Sequence, residues 1–231
     1  MAETKPVEKK VLEVKEKVKP EEPLAETKPK KETPLNPLKY KISENYVTIT
    51  GYEKSAPDKL IIPASIEGKP VTDIGWSGFK NNLKLTSITI PKSVTSIGYG
   101  AFENCTSLTN ITIPDGVVRI KSGTFINCTN LTSITIPDSV TTIMDFAFEN
   151  CTSLTSITIP DSVNTIENYV FDGCKSLTAV TFLGDAPDAQ VSGENPAPID
   201  GSTPTIYRKP EAKGWGDTWA GRPVKLISEK P

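Results

Sequence analysis

Leu131-Thr-Ser-Ile-Thr-Ile-Pro-Asp-Ser-Val-Thr-Thr-Ile143, a variable stretch, and then Ala147-Phe-Glu-Asn-Cys151 decide how this chain folds. Nearly the same words occur before and after, always 23 residues away. Leu85, Leu108, Leu131, Leu154 and Leu177 form one column of the repeat. Ile88, Ile111, Ile134, Ile157 and Val180 form a second, and Ile90, Ile113, Ile136, Ile159 and Phe182 a third. Pro91, Pro114, Pro137 and Pro160 follow, then Val94, Val117, Val140 and Val163, then Ile97, Ile120, Ile143 and Ile166. Phe102, Phe125, Phe148 and Phe171 extend the earlier Phe79, and Cys105, Cys128, Cys151 and Cys174 close the units. Internal repetition at a fixed period of this length is the mark of a solenoid.

Ser-Ile-Thr-Ile alternates polar and apolar residues, the pattern of a half-buried strand. A unit this short cannot bury its own apolar face, so each Leu, Ile, Val and Phe must rest on its counterpart in the next coil. About seven such side chains per unit each contribute roughly 1.5–3 kcal/mol before entropy. Successive strands then lie about 4.8 Å apart in a parallel sheet. Proline ends each strand because it lacks an N–H, and Asp-Ser supplies turn chemistry. The fold class is a leucine-rich-repeat solenoid, mainly β with short helical or irregular turns. One strand is expected per 23-residue coil, and both ends are capped.

Residues 63–184 are read as the solenoid. A looser unit opens it, with Ile62-Pro63, Ile74 and Phe79 in the later columns, Asn82 where Cys appears later, and a hairpin around Gly68. Residues 38–62 are read as an N-terminal β cap, with strands at Tyr40–Ile42 and Tyr46–Thr50. Residues 185–231 are read as an irregular loop to Pro204, a last strand at Thr205–Tyr207, and a cap containing Trp215 and Trp219. That Trp pair covers the last coil or stacks on carbohydrate.

Residues 1–37 hold 9 Lys, 8 Glu and 6 Pro with no aromatic residue. Such a stretch cannot bury enough apolar surface to offset its chain entropy, and is read as a disordered tether. Val7, Val11, Val14 and Val18 fit a transient helix or a short partner helix. The opening Met-Ala-Glu-Thr-Lys has no apolar signal-peptide core, so an export signal is either not used or was removed.

Charge and composition exclude several function classes. The 26 Lys+Arg nearly balance 28 Asp+Glu, which gives no global attraction to nucleic acid or anionic membrane. There are no histidines, which removes Ser-His-Asp and Cys-His catalysis and His-based zinc sites. No apolar run reaches the roughly 20 residues of a membrane span. No phosphate-binding loop or metalloprotease motif occurs. Neither an enzyme nor a cofactor is expected.

The candidate sites are columns. Ser87/Thr89, Asn110/Thr112, Ser133/Thr135 and Ser156/Thr158 point away from the core, with Ala179/Thr181 last, as a polar recognition face or simply a strand-forming surface. Asp115, Asp138 and Asp161 form an acidic stripe behind the prolines, either a cation or basic-partner site or solvated turn residues. The cysteines are read as stacked buried thiols, although a disulfide is within reach on distance alone. Asn104-Cys-Thr, Asn127-Cys-Thr and Asn150-Cys-Thr match a glycosylation sequon that the repeat itself generates.

The 23-residue unit, the lead-in Tyr46-Val-Thr-Ile-Thr-Gly-Tyr52 and the tail Gly214-Trp-Gly-Asp-Thr-Trp-Ala-Gly-Arg-Pro223 resemble the BspA-type leucine-rich repeat family. The resemblance implies surface or secreted proteins that adhere to host proteins or neighbouring cells, and it supplies no catalytic residues. The expected function is therefore a non-enzymatic protein-binding or adhesion module, a monomer or weakly self-associating, secreted or at the cell surface. A structural spacer or self-assembling scaffold, a carbohydrate- or ice-binding solenoid, and a cytoplasmic location are the alternatives.

Overall fold

The computed structural model describes residues 37–189, 198–199 and 201–230. The expected tether lies outside them except for Pro37. Each coil carries two short strands rather than one. The first is the Ser-Ile-Thr strand: Lys59–Ile61, Ser87–Thr89, Asn110–Thr112, Ser133–Thr135, Ser156–Ile159 and Ala179–Phe182. The second follows the proline turn: Ser96–Ile97, Arg119–Ile120, Thr142–Ile143 and Thr165–Ile166. Both sets pair in parallel, one coil on the next, except between Ser133–Thr135 and Ser156–Ile159 in the first set. Two-residue strands are too short for alternation to reveal, so the sequence reading ran them into the turn. The turns are not helical; among the described residues the one helix is the 3-10 turn Ile227–Glu229.

The proline turns close with an i+3 hydrogen bond, Val94, Val117, Val140 and Val163 N–H donating to Pro91, Pro114, Pro137 and Pro160 O. The same valines are buried, so one turn both reverses the chain and supplies the core. On the far side of each coil the Phe N–H donates to the next coil, from Phe79 to Ala101 O at 2.8 Å through Phe148 to Val170 O at 2.9 Å.

The core is a set of vertical stacks. Phe79, Phe102, Phe125, Phe148 and Phe171 lie nearly parallel, with centroids 5.4–5.7 Å apart. Tyr52 of the cap begins the same stack at 6.0 Å from Phe79. This step is within the range for offset aromatic pairs. All five leucines of the Leu column are buried.

Two polar ladders fix the register. Each Cys Sγ–H donates to the Phe carbonyl of the preceding coil, Cys105 to Phe79, Cys128 to Phe102, Cys151 to Phe125 and Cys174 to Phe148, at 3.1–3.3 Å. Asn82 replaces Cys in the first unit and its Oδ1 accepts from Leu85 N–H at 3.2 Å. Asn81, Asn104, Asn127 and Asn150 have φ of 57–61°, the left-handed region that Asn tolerates. Their side chains link in series: Nδ2 of Asn104, Asn127 and Asn150 donates to Oδ1 of the Asn one coil back at 2.7, 2.8 and 3.1 Å. Gly173 ends the ladder, because it has no side chain to donate to Asn150 Oδ1. These asparagines are structural, which displaces the sequon reading at 104, 127 and 150.

At the N-terminus, Leu38–Ile42 and Val47–Tyr52 form an antiparallel pair, and Val47–Tyr52 joins Lys69–Ile74 in parallel. The hairpin around Gly68 is present, with Ser65–Ile66 antiparallel to Lys69–Pro70. The C-terminal end needs two corrections. The stretch read as an irregular loop contains a strand, Asp188–Ala189, which continues the second sheet beside Thr165–Ile166. Thr205–Arg208 is not the last strand, since Arg222–Leu226 pairs with it in parallel and Thr218–Trp219 folds back on Arg222–Pro223. Both additions lie where the 23-residue period has lapsed, so no column marked them.

Candidate functional site

The sheet of Ser-Ile-Thr strands is interrupted. Pairing runs from Lys59–Ile61 to Ser133–Thr135 and again from Ser156–Ile159 onward, with no ladder between Ser133–Thr135 and Ser156–Ile159. The second sheet stays paired at the same level, Thr142 and Ile143 opposite Thr165 and Ile166. The solenoid therefore parts on one side only. The opening is a cleft of about 370 Å³ whose lining includes Ser133, Thr135, Ser156, Thr158 and Asp138. Ile134 is half-buried there, while its column mates Ile88, Ile111 and Ile157 are buried.

Four of the eight candidate sheet residues thus meet at one place. Thr89, Asn110 and Thr112 are exposed and Ser87 is half-buried on the same sheet, but they lie nearer the N-terminus and do not line the cleft. Ala179 and Thr181 are not exposed, as the alternation had implied. Both are buried, and Lys230 Nζ donates to Thr181 Oγ1 at 3.1 Å while lying 5.8 Å from the Tyr207 ring. The hydroxyl strip ends one coil early because the C-terminal segment covers it.

Asp115, Asp138 and Asp161 are exposed in single file, and only Asp138 lines the cleft. Their column continues to Gly184, where a Cβ would lie 2.6 Å from Asp161 Cα. Among the described residues no group of three or more Cys, Asp or Glu gathers in a metal-binding arrangement. The four cysteines are buried free thiols. Burial pushes Cys105 and Cys174 up to about 12 and also raises Cys128 and Cys151. A thiol held in this way is a small core residue with a donor, not a nucleophile. Trp215 and Trp219 close the last coil against Phe182, with centroids 4.9 and 5.0 Å from that ring.

The sequence reading missed an aromatic trough. Trp76, Tyr99 and Phe146 line it together with Gly100, Glu103, Ser122, Gly123 and Ile126. Its volume is about 600 Å³. Trp76 is 80% exposed and Tyr99 48%. Phe146 stacks on Tyr169 at 4.9 Å. All these rings fall in the turn after the Ile97 column, where the copies differ most. Large aromatics at positions that carry Ser or Asp in sister coils were the available signal.

The parallel coils and buried Leu column define a leucine-rich-repeat solenoid. The model for the BspA type Leucine rich repeat region matches residues 72–188 in six copies, and the chain belongs to that family. Among solved structures, the chain is similar to a T. pallidum leucine-rich repeat protein at 26% identity and a TM-score of 0.64, covering 77% of this chain and 86% of that one. It is also similar to a leucine-rich repeat protein from Bacteroides ovatus ATCC 8483, at 29% identity and a TM-score of 0.63. That match covers 76% of this chain and 47% of the other, so this chain spans about half of it. Comparison with curated proteins gave no match. No helix of the described residues is long and apolar enough to cross a membrane.

Proposed function

We propose that this solenoid is a non-enzymatic recognition module that binds a protein partner at the cell surface through its hydroxyl-bearing sheet face. The parted sheet carries this reading. At the cleft, the neighbouring strands Ser133–Thr135 and Ser156–Ile159 lack the ladder that joins other successive strands, and Ser133, Thr135, Ser156, Thr158 and the Asp138 carboxylate line the opening. Main-chain donors and acceptors beside short polar side chains suit a loop or extended segment of another protein. Membership of a generally non-enzymatic repeat family supports a binding role.

The test is surface plasmon resonance of the full chain against a panel of purified matrix and cell-surface proteins. Lysine at both Ser133 and Ser156 is expected to weaken any specific interaction by at least about tenfold, as loss of a central contact does. Trp76→Ala, away from the cleft, leaves it unchanged. An interaction indifferent to the double substitution rules out this face.

A further inference from the structure

We infer that the face bearing Trp76, Tyr99, Phe146 and Tyr169 is a homodimer interface, on which a second copy of this chain packs antiparallel, with the two-fold axis at the Ser122–Gly123 coil. Five consecutive turns build the face in two neighbouring columns. Trp76, Tyr99, Ser122, Asp145 and Asn168 form the first, and Ser77, Gly100, Gly123, Phe146 and Tyr169 the second. Rings fill the first column in the first two coils and the second column in the last two, and the middle coil has none. Trp76, Tyr99 and Phe146 are exposed, and they share with Gly100 and Gly123 an open volume of about 600 Å³. Every residue of the second column has φ of 53–65°. Glycine suits that conformation, whereas a bulky ring there is an outlier held at a cost, as happens at sites kept for function. Phe146 is nonetheless exposed, so the chain's own core does not account for its ring.

The order of large and small residues is self-complementary. The Phe stack rises by 5.4–5.7 Å per coil with successive rings within 5° of parallel, so these turns repeat with little rotation. A two-fold axis lying across the face reverses the coil order and sets each column opposite itself. Phe146 of one copy then stands over Gly100 of the other, Tyr169 over Ser77, Trp76 over Asn168 and Tyr99 over Asp145, while Gly123 meets Gly123. A patch that offers knob and hole in this order meets the requirement of an isologous contact.

Charge decides the direction. Two parallel copies would also set the rings of one column against small residues of the other, but they would bring like ends together. Residues 144–150 and 167–173 carry Asp145, Glu149, Glu167 and Asp172 with no cation, whereas residues 75–81, 98–104 and 121–127 carry Lys80 and Lys121 against Glu103. Lys80 Nζ holds Glu103 at 2.8 Å, and among the described residues none of the other four carboxylates has an ion-pair partner. Lys121, level with the axis, donates to Ser96 Oγ at 3.0 Å and lies 5.6 Å from the Tyr99 ring. Parallel copies would crowd the four carboxylates of one against the same four of the other. Antiparallel copies set each acidic end against the Lys80 end, with Lys80 opposite Asp172, and so attract.

The experiment is sedimentation equilibrium of the full chain from micromolar to millimolar concentration, with tryptophan fluorescence alongside. A reversible dimer is expected, and the emission should move to shorter wavelength as it forms. Trp76→Ser, Tyr99→Ser and Phe146→Gly each install a residue that the same column carries in another coil, so the fold is expected to persist. Each is expected to weaken the dimer by at least about tenfold. Direction is read by oxidation with copper phenanthroline. Ser77→Cys chains mixed with Tyr169→Cys chains are expected to form a disulfide-linked dimer, and neither variant alone does so; the four native thiols are buried. Should Tyr169→Cys not fold, Trp76→Cys mixed with Asn168→Cys reads the same direction. A chain that stays monomeric at millimolar concentration, a dimer indifferent to the ring variants, or a disulfide-linked dimer from either cysteine variant alone would overturn the assignment. Ser133→Lys with Ser156→Lys leaves the dimer unchanged, so failure here is distinct from failure at the sheet face.

Discussion

Asn127 offers a quantitative test of what holds the coils in register. Its Nδ2 donates to Asn104 Oδ1 at 2.8 Å and its Oδ1 accepts from Asn150 Nδ2 at 3.1 Å, with φ at 57°. Asn127→Ala removes both side-chain bonds and leaves a residue with a Cβ in the left-handed region. Two bonds at about 0.5–1.5 kcal/mol each, taken low because the site is only partly buried, give roughly 1–2 kcal/mol. The backbone conformation adds about 1 kcal/mol for Ala. The total loss is roughly 2–3 kcal/mol. Asn127→Gly loses the same bonds without the left-handed cost, as Gly173 does in the same column at φ 66°, but gains entropy in the unfolded chain. The two effects nearly offset, so its loss should fall short of the Ala variant's by no more than roughly 0.6 kcal/mol. Urea unfolding followed by circular dichroism reads both. A loss near zero for Ala, or a Gly variant clearly less stable than the Ala variant, would refute the account of the column as a strained hydrogen-bonded ladder.

Three further outcomes are expected. Phe125→Ala opens a cavity in the middle of the ring stack and should cost about 3–5 kcal/mol by the same assay. The four thiols should resist maleimide at pH 8 in the native protein and label fully in urea, as mass spectrometry would show; rapid native labelling would contradict their burial. Burial, and then the neighbouring Asp172, raise the Glu149 carboxyl above its usual range. A raised carboxyl favours the folded state below its unfolded pKa, and this support is lost as pH rises through its folded pKa. Glu149→Gln should therefore raise the melting temperature at pH 7, and the gain should vanish at acid pH; a gain that persisted there would assign it to packing.

The core was legible because copying repeats burial as well as residues. Leu131, Val140 and Phe125 could be placed from the period alone, since each position sees the same neighbours in every coil. The Ser133/Thr135 face was legible for the same reason. Its opening was not, because adjacent coils with the same Ser-Ile-Thr words differ only in whether their strands pair. Trp76, Tyr99 and Phe146 were illegible for the opposite reason. Trp76 and Tyr99 share one column and Phe146 and Tyr169 the next, and the other members of both columns are small or polar, so no repeat of the pattern drew the rings together. The C-terminal strands escaped notice because Thr218–Trp219 and Arg222–Leu226 obey no repeat and were read for their tryptophans alone.

Two strands near the ends of the sheets bear on how the protein behaves in a crowd. An unpaired edge of a sheet is a template on which another chain can polymerise, and lysine or proline there discourages it. Leu38-Lys-Tyr-Lys-Ile42 ends one sheet and carries exposed Lys39 and Lys41, and Arg222-Pro-Val-Lys-Leu226, partly covered by Thr218–Trp219, carries exposed Pro223 and Lys225. A tower built from interchangeable storeys could in principle grow without limit by end-to-end addition of copies. Charge and proline on strands in these places disfavour that mode of growth.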